Sequence, residues 1–316
     1  MLLAKDYFPI VLNSKYIYEG TGDKLVNFTR FTDYTNNKKQ QFRIDTGKNE
    51  IINIYKSTIL GVKLIFTEDE IHYRENFLGK TPNKQDYILL NPITTGRRWT
   101  LSDGSNRTIT NVDIPLQTSY KTFPSVIEVT TINGKNKTID YYAKDTGLVK
   151  TSFYSDNILI ASSTLKEIKE NVSLTQKIRF FYPNDKINGI SYIDKNINFF
   201  TNDSTKIKFE NEFQEYTKNF APCIGSKTGI NYVYFNDIDY MVYIDFSHNF
   251  VNDLGINSKY EYLSLISITN SMGKYYNESK VYITVDGNPY SSHYIQKQPR
   301  EPFLTDFNNI NEIILP

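Results

Sequence analysis

The chain has 316 residues, 39% of them hydrophobic and 22% charged, which suffices for two folded domains and is too apolar for a disordered chain. A net charge of +1 excludes a global field for nucleic acid or an anionic membrane, and the single cysteine, Cys223, excludes a disulfide framework or a cysteine metal cluster. No apolar run reaches the length of about eighteen residues that a membrane helix needs.

In chain order, residues 6–168 read almost wholly as strands. Candidates are 16–18, 26–32, 41–44, 50–55, 62–67, 71–74, 87–90, 97–101, 107–112, 125–132, 138–143 and 158–165. Thr46-Gly47, Asp103-Gly104, Asn133-Gly134 and Ser155-Asp156-Asn157 supply the turns between them. Short strands at near-even spacing predict an antiparallel meander, and a sheet this long must curl towards an open barrel to cover its apolar face. The polar stretch 166–175, with Glu167, Lys169 and Glu170, marks the boundary, giving domains 1–170 and 171–316.

Beyond it, Ile178, Phe180 and Tyr182 alternate on a strand that Pro183 stops, and 189–200 makes another. Asn202-Asp203-Ser204 offers N-cap residues to a helix bearing Phe209, Phe213, Tyr216 and Phe220, ended by Ala221-Pro222. Val242, Ile244 and Phe246 share one face of a strand at 240–246. Ser258-Lys259-Tyr260-Glu261 reads as a capping box opening a helix whose apolar stripe is Tyr262, Leu265, Ile266, Thr269, Met272 and Tyr276. Glu261, Ser264, Ser267, Ser271 and Lys274 fall on the opposite face, expected to meet solvent. A strand at 280–285 then closes on the turn Asp286-Gly287. The expected fold class is α+β, an all-β open barrel followed by a two-layer α/β sandwich.

The sequence offers no catalytic set. His72, His248 and His293 are far apart, with no second ligand at metal spacing. Cys223 follows a proline, has no close basic neighbour and reads as a buried, inert thiol. Residues 225–229 lack the adjacent Gly-Lys of a phosphate loop. Asp245 and Asp286 end two strands that could be neighbours, and they read as turn caps rather than an acid–base pair. Tyr7, Phe8, Tyr16, Tyr18, Tyr141, Tyr142 and Tyr154 could line a groove or fill a strand core. The expectation is a protein without enzymatic activity, metal or cofactor.

Ile244-Asp245-Phe246-Ser247 followed by Phe250, Ser267-Ile268-Thr269-Asn270-Ser271 and Val285-Asp286-Gly287 together resemble the strand end, helix and closing turn of the GerMN domain of sporulation and spore germination, over about 176–303. That resemblance implies an exported, lipid-anchored protein of an endospore former, with signal and lipidated cysteine removed, that supports the channel complex between mother cell and forespore. Its fold is similar to ring-building modules. The implied partners are other sporulation envelope proteins, channel or ring components, with no nucleic acid and with the membrane reached only through the anchor. Ser264, Ser267, Ser271 and Lys274 are the residues it suggests for partner binding. Asp6-Tyr7-Phe8-Pro9, Tyr16, Tyr18, Tyr141-Tyr142 and Gly147-Leu148-Val149-Lys150 resemble the amino-terminal domain of some clostridial lipoproteins, similar to the lipoprotein-carrier open barrel. The alternative function is therefore a carrier for a lipid or other apolar ligand. It requires a dry apolar cavity of at least a few hundred Å3, about the size of ordinary ligand pockets. An assembly module requires a filled sheet face and an exposed edge.

Overall fold

The computed structural model describes residues 2–22, 26–184, 189–215, 220–254, 257–308 and 310–312. Two compact units emerge: Met1–Leu174 with Phe200–Asp203, and Thr175–Phe199 with Ser204–Pro316.

The first unit begins with a short 3-10 turn, Ala4–Tyr7, then strands β1 (Lys15–Thr21), β2 (Phe28–Thr35), β3 (Lys39–Asp45), β4 (Glu50–Thr58), β5 (Gly61–Asp69) and β6 (Asp86–Leu90). Strands β7 (Arg98–Thr100), β8 (Asn106–Gln117), β9 (Thr122–Asn133), β10 (Asn136–Ala143), β11 (Gly147–Ser155) and β12 (Ile158–Lys169) follow. All belong to one 12-stranded sheet in the order β6-β5-β4-β3-β2-β1-β12-β11-β10-β9-β8-β7. The chain runs outward from β1 to one edge, restarts at the other and returns to lie against β1. The Asp156-Asn157 turn has positive φ at both residues, 49° and 65°, the handedness that suits strand twist in a tight hairpin.

The sheet curls until its edges meet. Trp99 Nε1 donates to Tyr87 O at 2.8 Å and Arg107 Nε donates to Ile88 O at 3.0 Å, joining β7 and β8 to β6 through side chains. Phe42, Val62 and Leu89 from one half thereby pack with Ile109, Ile127, Val129 and Tyr142 from the other, and Ala4, Tyr7 and Phe8 plug the same core.

Residues 71–74, expected as a strand, are not one. Arg43, fully buried, takes the Ile71 and Tyr73 carbonyls at 2.6 and 2.7 Å, so a side chain replaces the ladder. Asp33 holds Arg43 Nε at 2.9 Å and Arg74 Nε at 3.3 Å. Arg74 also donates to Phe200 O at 3.0 Å and to Asp203 O, which fastens 200–203 into this unit. Strand β11 was hidden in the sequence because polar Thr151 and Ser152 point inward, Thr151 to bond Asp140 at 2.9 Å.

The second unit contains β13 (Leu174–Asn184), β14 (Gly189–Phe199), α1 (Thr205–Gln214), β15 (Ile230–Asn236), β16 (Met241–Phe246), α2 (Asn249–Leu254), α3 (Ser258–Tyr276), β17 (Lys280–Val285), β18 (Asn288–Pro289), β19 (Phe303–Leu304) and β20 (Ile310–Glu312). Strands β16 and β17 are parallel, with Val242 opposite Val281 and Ile244 opposite Ile283, and α3 connects them. Helix α1 buries Phe209 and Phe213 against Phe180 and stops at Gln214. Phe220 lies beyond the helix, stacked on Tyr182 at 3.9 Å, and Tyr216 falls outside the described residues.

The expected α+β class is overturned: the chain is mostly β, 51% strand and 14% helix. Nor is the second unit a two-layer sandwich. Its strands divide between a sheet β13-β14-β20 and a sheet β15-β16-β17-β18 that β19 joins through β17. Helix α3 touches both, with Leu263 against Phe181 and Ile190 of the smaller sheet and its other side on β16 and β17. A helix covered twice needs no solvent face. Its N-cap is Asn257, whose side chain accepts the Tyr260 N–H at 2.8 Å, one residue before the expected Ser258.

Candidate functional site

Helix α3 decides the first candidate. Ser264, Ser267 and Ser271, expected on a solvent face, are each 0% exposed, and only Lys274 of that set reaches solvent. Ser271 Oγ accepts the Phe181 N–H from β13 at 2.9 Å and donates to Ser267 O at 2.8 Å. Glu261 is buried too and accepts the Tyr290 hydroxyl at 2.8 Å, with Ser292 as a second donor. The stripe is shifted accordingly: Leu265 is buried, Ile266 half-buried and Tyr262 exposed. Ser271 therefore meets a strand of this chain instead of solvent. Lys274 borders a hollow of about 210 Å3 with Arg179, Phe181, Tyr192, Phe307 and Ile310, in which Arg179 lies 3.9 Å over the Tyr192 ring and pairs with Asp194 at 2.7 Å.

The sheet on the other side of α3 turns Val242, Ile244, Val281 and Ile283 inward. Its outer face carries a row of tyrosines: Tyr234 stacks on Tyr243 at 5.2 Å, and Tyr243 meets Tyr282 edge-on at 5.2 Å. Among the described residues β15 has a strand neighbour on one side only, which leaves it an edge with Tyr232 and Tyr234 exposed. Side chains of α1 cover its start, where Glu210 accepts the Ile230 N–H at 2.7 Å and Lys206 donates to Asn231 O at 2.7 Å.

The reactive residue types are placed apart. His72, His248 and His293 are exposed, with His248 Nδ1 3.6 Å from Asp286. Cys223 is buried with its Sγ 3.3 Å from Phe181 O, and burial pushes its thiol up. Asp245 accepts from Thr284, from the Gly287 N–H at 2.8 Å and from Asn231 at 2.8 Å, a saturated carboxylate that pins the β17–β18 turn. Among the described residues no group of His, Cys, Asp and Glu is arranged to hold a metal, and no helix is long and apolar enough to cross a membrane.

The curled sheet of the first unit holds a partly open cavity of about 210 Å3. Phe8, Tyr18 and Tyr142, all expected groove candidates, line it together with Phe28, Phe42 and Tyr55. Tyr7 and Tyr16 are buried away from the lining, whereas Tyr141 and Tyr154 belong to other surfaces. Tyr18 donates to Leu148 O at 2.8 Å, and burial pushes its phenol up to about 12. Arg107 enters the cavity wall fully engaged, with Asp140 at 2.8 Å, Tyr142 Oη at 3.1 Å and Thr131 Oγ1 at 2.7 Å. Arg30 enters it between the Tyr16 and Phe42 rings, 4.3 and 4.6 Å from their centroids. Sequence reasoning passed over both arginines. The available signal was Arg30 two residues after Phe28, a charge at an inward position of an aromatic strand. The volume falls below the few hundred Å3 that a lipid carrier needs, and Arg30, Arg107 and Asp140 interrupt the apolar lining.

No protein family matches the chain, and no curated protein does. Among solved structures it is similar to the tandem GerMN domains of the sporulation protein GerM from Bacillus subtilis, with 16% identity and a TM-score of 0.31 over 42% of this chain and 46% of that one. It is similar to a Bacteroides fragilis protein described as exported and of YmcC-like fold, with 12% identity and a TM-score of 0.26 over 51% of this chain and 98% of that one. A Parabacteroides distasonis protein described as a lipoprotein gives 13% identity and 0.26 over 52% and 98%. The chain spans less than half of the tandem GerMN chain.

Proposed function

We propose that the chain is a non-catalytic, extracytoplasmic assembly protein of the sporulation envelope, which docks an envelope partner on the open edge of β15. The observation that carries this reading is the edge itself. Past Asn231 it leaves main-chain groups without a strand neighbour among the described residues and presents Tyr232 and Tyr234 beside them. Unpaired edges accept a partner strand, and exposed tyrosines add contact area at low entropic cost. The GerMN-like stretches at 244–250, 267–271 and 285–287 support a partner among channel or ring components, with a lipid anchor holding the protein at the membrane. The exposed histidines, inert thiol and saturated Asp245 fit a protein that needs surfaces rather than reactive groups.

Pull-down of the anchored, full-length protein from sporulating cells tests this. The double variant Tyr232→Lys/Tyr234→Lys places charges on the edge, as natural proteins do to block pairing. Loss of the envelope partner with an unchanged melting temperature is the expected result. Recovery of the partner at the wild-type level would overturn the assignment.

A further inference from the structure

The inward arginines of the first unit are not equivalent. Arg43 and Arg74 share Asp33, and Arg107 has Asp140. Arg30 has no carboxylate within ion-pair distance among the described residues, and its buried Nε has no hydrogen-bond partner. Its guanidinium is held by two ring faces and by a hydrogen bond to the Tyr16 hydroxyl, which orient a cation without neutralising it. The residue is half-buried, but a buried donor atom left without an acceptor is costly unless something pairs with it.

The surroundings of that charge define what could pair. Asp140, the carboxylate in the cavity lining, is already taken by Arg107 and Thr151. The aromatic part of the wall is Phe8, Tyr18, Phe28, Phe42, Tyr55 and Tyr142, with Tyr18 stacked on Phe28 at 4.3 Å, and Ile44, Ile88 and Leu148 add aliphatic surface. Burial raises the phenols of Tyr18, Tyr55 and Tyr142, so they stay neutral and add no negative charge at pH 7. A volume of about 210 Å3 has room for roughly seven water-sized groups at about 30 Å3 each. That is enough for one ring or a short chain and too little for an acyl lipid.

We propose that this cavity binds a small organic monoanion, a carboxylate on a compact apolar or aromatic body, with the carboxylate on Arg30 and the body against the aromatic wall. A planar guanidinium accepts a carboxylate through two parallel hydrogen bonds, which a neutral amide cannot reproduce. The site is separate from the β15 edge, so either proposal can fail alone.

Titration calorimetry on the full chain with benzoate, hexanoate and benzamide tests it. One benzoate per chain should bind at least tenfold more tightly than benzamide, which has the same shape without the charge. Tighter binding of hexanoate than of benzoate would make the body aliphatic. Arg30→Met should erase the preference for the acid, and Arg30→Lys should keep part of it. Should Arg30→Met fail to fold, Ile44→Trp fills the cavity from its half-buried rim and leaves Arg30 in place, and it should abolish benzoate binding. The proposal is overturned if neither acid binds at millimolar concentration, if benzamide binds as tightly as benzoate, or if folded Arg30→Met or Ile44→Trp binds benzoate as the wild type does.

Discussion

Ser271 Oγ accepts the Phe181 backbone N–H at 2.9 Å and so ties helix α3 to strand β13. Ser264, Ser267 and Ser271 are buried, and Ser271 satisfies a main-chain donor of the smaller sheet. Ser271→Ala should cost about 1–3 kcal/mol, because it leaves the Phe181 N–H buried and unsatisfied. Ser271→Arg should cost about 3–5 kcal/mol through an unpaired buried charge. Urea unfolding midpoints measure both, and a Ser271→Arg variant as stable as wild type would mean the face is open after all.

Helix α3 also buries Leu265, 1% exposed, and Ile268, 0% exposed. Truncation of either to alanine should cost about 2–5 kcal/mol through lost burial plus a cavity. Ile266→Ala, at a half-buried position, should cost less than either. Thermal melts of the three variants give the order.

Arg74 reaches outside the contiguous part of the first unit, to the carbonyls of Phe200 and Asp203. A fragment ending at residue 174 loses both acceptors along with the bond between Thr201 Oγ1 and Thr32 O at 2.8 Å. Buried donors stripped of acceptors cost about 1–3 kcal/mol each. The fragment should therefore melt below the first unit of the full chain, and Asp33→Ala should destabilise the full chain by about 3–5 kcal/mol, since it strips Arg43 and Arg74 of their shared carboxylate. Equal melting of fragment and full-chain unit would count against this account.

Tyr18 gives an alkaline prediction. Its phenol is raised from 10.0 to about 12 by burial, so the unfolded chain ionises first. The contribution is whole below about pH 10 and is lost as pH rises through about 12, on the order of 2–3 kcal/mol in all. Phenolate absorbance should show one fewer late-titrating tyrosine in Tyr18→Phe than in the wild type, and Tyr18→Phe should flatten the fall in stability over that range. An unchanged pH slope in the variant would sink the assignment.

By itself the sequence determined the local pattern. The alternation of Val242, Ile244, Val281 and Ile283 gives two strands with one buried face, Phe209 and Phe213 mark the inner side of α1, and Asn133-Gly134 and Asp156-Asn157 fall at hairpin turns. Side-chain period and turn chemistry are short-range properties, written in neighbouring residues. Periodicity identifies one buried face and is silent about a second layer, so only the tertiary structure decided that Ser264, Ser267 and Ser271 are buried and that Ser271 bonds β13. It likewise decided that Arg43 would take the carbonyls of 71–74 and that Thr151 would face inward to bond Asp140. The same holds for Arg30. Whether a charge on β2 finds a carboxylate depends on which strands the curled sheet brings opposite it, and those partners lie far along the chain, where no spacing rule reaches.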